Sequence, residues 1–554
     1  MPKSKAADID TEDVKGMISK WASIPFAILV VLVAGGALNL IPYFLELKDQ
    51  LGFEPIHQEF IRWGVLFGYF GGLLAGPLVD LIGTTISFVI SALIAGGGFV
   101  ALAFYSDASS ISTFNTILVV TLVLLVSFAC AIASIAAIAT VILNFSRNVG
   151  AMIAAVMIAY YFAAPYFDLS IRGGYFQDVE LKTNMLVSGG IHFFVYLLAS
   201  FIVDENEQSP RLKRASALTD RFGILIYAAI AAGFLAVIYF TCIIAEAFKL
   251  GIVLISLIIL LNFVVLAFTV QALIGRINDS DTSNVADEKM PPKKHLGEML
   301  ADIRYWCLLF GVFVIAGTGG TYYAEAPDVA EAVGQPDIAD KLDFAYWLSA
   351  VTAILGGGLF AAMFNAILNG WIFAACGAFS SMVGFGLVFL TDVHPAFFYM
   401  SAFFIGAGVG VWWVVVPQII LDDAGPRSFE SLWGMTLTVA AFGMFTFDRF
   451  FWWISSKTDP ESKGDCDGTA CFLIPYILSA ALCMIAGILA LVGFSNDEGT
   501  GGSGGRDERK PLKANDKNKS KDRGRSKSKD GKRSDSKGKS KGKSKGKSKS
   551  KPKK

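Results

Sequence analysis

Fourteen apolar runs, each long enough to cross a bilayer, divide this chain of 554 residues. They lie near 22–45, 60–82, 85–105, 115–143, 147–169, 185–203, 222–244, 250–275, 303–322, 343–364, 366–391, 397–421, 429–455 and 471–494. In a bilayer, backbone N–H and C=O groups find partners only within a helix or a closed barrel, so each run predicts an α-helix. The first run is long, contains Pro25 and lacks a small-residue cleavage site, which predicts a retained helix rather than a signal peptide. The expected fold class is therefore an all-α polytopic membrane protein.

The polar segments between the runs set the organisation. The longest, 276–302, contains Pro291-Pro292, and another basic one, 204–221, precedes a closely coupled helix pair. The chain parses into a segment 1–21, a six-helix bundle over 22–203, a loop 204–221 and an inserted transmembrane pair over 222–275. A loop 276–302, a second six-helix bundle over 303–494 and a tail 495–554 complete it. Two similar halves are the build of an alternating-access carrier, whose site lies between them near the midplane. Each half has a glycine-rich second helix. Gly64, Gly68, Gly72 and Gly76 recur every four residues in 60–82, which predicts one smooth stripe on a single face, and Gly356-Gly357-Gly358 takes the equivalent place in 343–364. The stripe runs into Gly76-x-x-x-Asp80-x-x-Gly83, a carboxylate at the end of a membrane helix followed by a tight glycine turn. That combination suits helices that move closely past one another.

Composition agrees with the pattern: 54% of residues are hydrophobic and the mean hydropathy is +0.55, which excludes an ordinary soluble domain. The net charge of zero hides an asymmetry, because the tail after Phe494 carries 23 basic and 8 acidic residues. With loops assigned alternately and the N-terminus inside, basic residues such as Arg147, Arg211, Lys213, Arg214, Lys293 and Arg427 collect on inner segments. That bias places both termini in the cytoplasm, and leaves plasma membrane or organelle open. The outer segment 325–343 is acidic, with Glu325, Asp328, Glu331, Asp337, Asp340 and Asp343. It reads as a solvated loop, or as a means of enriching cations at an outer vestibule. The tail, dominated by Lys-Ser-Lys-Gly repeats, cannot bury a core and is expected to be disordered. Tethered behind a membrane domain, it has anionic lipid headgroups as its nearest partner rather than nucleic acid, or it serves as a soluble spacer.

Polar residues deep in the runs are the substrate-site candidates: Asn39, Tyr43, His192, Tyr322, Trp412 and Gln418. Asp448 and Arg449 lie inside the run 429–455. Adjacent helical residues point about 100° apart, so the two are not expected to neutralise each other simply. Two readings follow. Asp448 faces a cavity as a proton carrier, or the pair reaches an outer interface where Trp452 and Trp453 form an aromatic belt. His192 reads as a proton relay or as a hydrogen-bonded packing residue.

Enzyme signatures are absent. There is no phosphate-binding loop, so ATP is not the expected driving force, and the four histidines have no metal-ligand spacing. No cofactor and no metal is expected. Five of the seven cysteines fall in apolar runs, while Cys466 and Cys471 share an outer loop and are close enough for a disulfide.

The Gly76 to Gly83 segment is similar to the signature between the second and third helices of major facilitator superfamily transporters, with Leu81, Thr84 and Thr85 where basic residues usually follow the Asp. Further segments resemble the nodulin-like branch. They are Asn144-Phe145-Ser146-Arg147-Asn148-Val149-Gly150, Leu300-Ala301-Asp302-Ile303-Arg304-Tyr305-Trp306 with Gly317-Thr318-Gly319, Gly406 to Pro417, and Cys466-Asp467-Gly468-Thr469-Ala470-Cys471-Phe472. Ser146 stands where that branch usually has Pro. The resemblance spans roughly 22–494. It implies major-facilitator-type architecture, two six-helix bundles here joined by an extra pair. It also implies a secondary active transporter of a small polar solute, such as an organic acid or an amino acid, working by alternating access with proton coupling as a further expectation. In that family the signature Asp helps hold the cytoplasmic ends of the halves together. Gly76, Asp80 and Gly83 are thus gating candidates, with Arg147 as the expected counter-charge. The alternative is a receptor or scaffold that keeps the transporter fold without transporting.

Overall fold

Where the apolar runs fall on described residues they become helices, most with only small changes of boundary. A computed structural model of the chain describes residues 23–24, 26–35, 55–105, 113–144, 153, 156–157, 159–160, 181–203, 296–332, 349–350, 353, 370–391, 393–425, 428–458 and 470–501. Its elements are α1 (Pro55–Tyr69), α2 (Gly72–Ile82), α3 (Thr84–Tyr105), α4 (Thr113–Asn144), α5 (Leu181–Ile202), α6 (Leu296–Ala301), α7 (Ile303–Ala332), α8 (Gly370–Val388), α9 (Ala396–Ala424), α10 (Phe429–Thr458) and α11 (Ala470–Gly501). A shorter apolar helix, Phe26–Gly35, precedes them. Among the described residues, eight helical spans are long and apolar enough to cross a membrane. Among the described residues the secondary structure is all helical, and the chain is a multi-pass membrane protein. The expected inserted pair over 222–275 and the runs near 147–169 and 343–364, with Gly356-Gly357-Gly358, lie wholly or largely outside the described residues.

Lipid provides no hydrophobic force between helices, so the pairs that pack closest do so over small residues. Gly96 of α3 meets Phe193 of α5, and Gly189 of α5 meets Phe99 of α3. Gly384 and Gly408 fit α8 against α9, and Gly317 and Gly443 fit α7 against α10. Gly311 of α7 receives the six-membered ring of Trp412. Large apolar side chains including Leu74, Phe194 and Phe201 point outward, toward what is lipid for a membrane protein.

Several expectations need correction. The acidic stretch 325–343 does not start as a loop, because α7 continues to Ala332 and carries Glu325, Asp328 and Glu331 with it. The sequence there is alanine-rich and so favours helix, and Ala326, Val329 and Ala330 are buried. The loop 276–302 ends in helix α6, fixed where the Trp306 indole N–H donates to the Leu300 carbonyl at 2.8 Å. Helix α11 runs to Gly501, past the expected start of the tail, and Cys471 lies in its first turn rather than in a loop. Cys466 and the remainder of the tail lie outside the described residues. The glycine stripe is not one face: Gly64 and Gly68 pack on α4 at Val120, Leu124 and Ser127, whereas Gly72 and Gly76 pack on α10 at Gly434 and Glu430. The cause is an interruption of the helix at Phe70-Gly71.

Candidate functional site

The interruption arises from the sequence Gly71-Gly72, where two residues without side chains give the backbone little reason to stay helical. Gly71 caps α2 with φ −66° and ψ 32°. Its N–H donates to the Gly68 carbonyl at 3.2 Å, a tighter three-residue turn, and the Leu74 N–H donates to the Gly71 carbonyl at 3.1 Å. Phe70 C=O therefore loses the donor it would have in a continuous helix, and Leu73 N–H loses its acceptor. Both are served by one side chain from α10. The Thr438 hydroxyl donates to Phe70 C=O at 3.0 Å and accepts from Leu73 N–H at 2.7 Å. Backbone that leaves the helix inside a membrane protein needs such a partner.

This bond lies at the middle of a long seam. At one end, the Ser431 hydroxyl in the first turn of α10 donates to the Asp80 carboxylate. Next, Gly76 and Gly72 lie directly on the backbone of Glu430 and Gly434, where an added Cβ would collide with main-chain atoms. Beyond Thr438, the Phe67 ring packs on Phe442 and Phe445 at centroid distances of 5.6 and 5.4 Å, and Trp63 meets Phe445 edge-on at 5.2 Å. At the far end, Arg62 Nη2 lies 3.0 Å from Asp448 Oδ1. As the first number falls from 80 to 62, the second rises from 431 to 448, so the 55–82 segment and α10 run antiparallel. At 1.5 Å per residue that is about 27 Å, close to the thickness of a hydrocarbon core.

Asp448 has a second cation. Arg449 Nη2 sits 3.2 Å from Asp448 Oδ2, so the two neighbours do pair, with Asp448 shared between Arg449 and Arg62. The long arginine folds back along α10, and its guanidinium stacks over Trp63 at 4.8 Å and Trp452 at 5.6 Å. The aromatic surroundings favour that bend, because a guanidinium gains from ring faces as well as from the carboxylate. Arg62, an unexpected partner, lies 386 positions away in the chain; no local pattern could have announced it.

The other expected site residues are dispersed. His192 is buried in the α3–α5 packing, with its Nδ1 2.8 Å from the Ser188 carbonyl and its ring 4.7 Å from that of Phe99. Tyr322 is buried in a different place, between Phe385 of α8 and Tyr476 of α11. Trp412 is wedged between Gly311 and Gly377. Its neighbour Trp413 is the one that meets the seam, stacking with Phe70 at 6.4 Å and edge-on to Trp433 at 5.8 Å. Gln418 is buried near the end of α9. Gly76, Asp80 and Gly83 sit together at one end of the seam, and Gly83 closes α2 with φ 79°. Asn39, Tyr43 and Arg147 lie outside the described residues; the partner seen at Asp80 is Ser431. A second polar cluster forms where α6 meets α7. Arg304 binds Asp302 with Nη2 at 2.9 Å and approaches Asp423 at 3.7 Å, while the Tyr305 hydroxyl donates to the Leu432 carbonyl at 3.1 Å.

No protein-family model matches the chain, and no curated protein does. Among solved structures, the chain is similar to the major facilitator superfamily proton:xylose symporter XylE bound to 6-bromo-6-deoxy-D-glucose. Identity is 15% and the TM-score 0.46, over 88% of this chain and 95% of that one. It is also similar to the major facilitator superfamily transporter FucP in the outward conformation, at 12% identity and a TM-score of 0.47, over 85% of this chain and 99% of that one.

Proposed function

We propose that the chain is a secondary active transporter of major facilitator type, of the nodulin-like branch, that moves a small polar solute by alternating access. The observation that carries the reading is the seam between the 55–82 segment and α10, which has a polar or ionic lock at each end. Between the locks, contact is made over glycine backbone and aromatic faces, which offer few directional bonds to break when surfaces part. Two bundles joined in this way can open at one end while the other stays closed. In the expected topology, both termini are cytoplasmic, Asp80–Ser431 closes the inner side and Arg62–Asp448 closes the outer side. Asp448 then links proton coupling to the outer lock, because a proton taken up by its carboxylate removes the charge that holds Arg62. The solute class is an organic acid, an amino acid or a comparable metabolite, and the basic tail engages anionic headgroups of the same membrane.

The test is uptake into proteoliposomes of a panel of such solutes, with and without an imposed pH gradient. The expected result is saturable flux of at least one solute, raised by the gradient. Absence of flux from a folded, monodisperse protein would favour the receptor or scaffold reading. One observation points that way: His192, Tyr322 and Trp412 are each held in packing within different groups of helices.

A further inference from the structure

We infer that Thr438 is a releasable splice in the backbone of the 55–82 segment, and that Phe70-Gly71 is the hinge it holds closed. The inference deepens the transport reading and rests on it for the direction of motion, though not for the bonds themselves. Three observations carry it. First, the two backbone groups orphaned by the interruption, Phe70 C=O and Leu73 N–H, are satisfied by a single hydroxyl from another helix. Second, that hydroxyl has an alternative. Its one proton also faces the Gly434 carbonyl of its own helix at 3.2 Å, the back-bond that a helical threonine ordinarily makes. When α10 moves away, the proton transfers its hydrogen bond from Phe70 to Gly434. Thr438 itself stays satisfied, and only the 70–73 backbone is released. Third, the hinge lies midway: Gly71 is equally distant in sequence from Arg62 and from Asp80. The two arms, α1 and α2, set their glycines on different helices, Gly64 and Gly68 of α1 on α4 and Gly72 and Gly76 of α2 on α10, while side chains of α1 reach α10 through Phe67, Trp63 and Arg62. The interruption therefore lies where the closest backbone contact of the 55–82 segment passes from α4 to α10. Thr438 is a positioning residue, which sets the angle between the arms without touching a solute.

Residue-resolved amide hydrogen exchange on the full chain in lipid nanodiscs tests this. Thr438→Val keeps the shape and deletes the hydroxyl. It should accelerate exchange at Leu73 at least tenfold while Ala75 and Val79, within the body of α2, change little. Thr438→Ser should exchange like the parent protein. Thr438→Ala, which adds no methyl against the backbone, should repeat the local pattern and serves if the valine variant does not fold. Unchanged exchange at Leu73 in either variant would overturn the splice. So would uniform acceleration across 60–82, or a failure of serine to restore protection. These outcomes are separable from those of the transport reading. Lack of uptake by the parent protein removes that reading and leaves the exchange result standing, whereas active uptake with normal Leu73 exchange in Thr438→Val removes only the splice.

Discussion

Gly83 shows how much one residue can fix. Its φ of 79° and ψ of 165° lie in a region that side-chain-bearing residues avoid, yet nothing lies within 4 Å of the position a Cβ would take. The strain is therefore purely conformational, and asparagine, which tolerates the left-handed helical region, gains nothing here. Gly83→Ala and Gly83→Asn should each destabilise by about 1–3 kcal/mol, read as thermal unfolding in detergent. Gly425, at φ 77° and ψ 174°, ends α9 in the same way, and both glycines follow an aspartate by three positions. The Asp-x-x-Gly pattern at Asp80 was legible in the sequence, and so was its place at a helix end. Its partner was not. The partner the structure shows is Ser431, a small residue 351 positions away, while Arg147, the expected counter-charge, lies outside the described residues. A double-mutant cycle of Asp80→Ala and Ser431→Ala should give a coupling of about 1 kcal/mol in unfolding free energy. Additive effects would mean the bond is not formed in solution.

At the scale of elements, the apolar runs located α3, α4, α5, α8, α9, α10 and α11 well, because a bilayer leaves little choice of backbone. What the runs could not show was the interruption at Phe70-Gly71, since glycine in an apolar stretch looks the same whether it packs, bends or breaks a helix. The stripe of four glycines is regular in sequence and divided in space for that reason. Neighbouring glycines likewise differ in ways their order hides. On α3, a Cβ at Gly96 would sit 2.9 Å from the Phe193 Cβ, while one at Gly97 would meet nothing. Gly96→Ala should therefore destabilise by about 1–3 kcal/mol through overpacking. Gly97→Ala should be neutral or stabilise by up to about 1 kcal/mol through helix propensity. Melting temperatures of the two variants, measured side by side, check the pair.

For the whole molecule, the seam joins an early segment, 55–82, to a late one, α10. Composition and periodicity foretold a multi-pass helical protein, and nothing in either foretold which helix would lie along which. Pairings such as Arg62 with Asp448 depend on how helices assemble, which is a property of the packed set. Arg62 is one-third exposed and Asp448 about one-tenth, so their coupling should be modest, about 1 kcal/mol in an Arg62→Ala and Asp448→Ala cycle. A charge exchange, Arg62→Asp with Asp448→Arg, should recover part of what either single change loses; no recovery in melting temperature would argue that the pair contributes only through packing. The seam also has a consequence for how the protein is made. The 55–82 segment leaves the ribosome more than three hundred residues before its partner α10 exists. During that interval its glycine face has no α10 to meet, and Phe70 C=O and Leu73 N–H lack the hydroxyl that serves them. A nascent chain stopped before Phe429 should thus stay associated with membrane-insertion chaperones, while one extended through Thr458 should be released. The contact that serves Phe70 and Leu73 is thus complete only once α10 has been made.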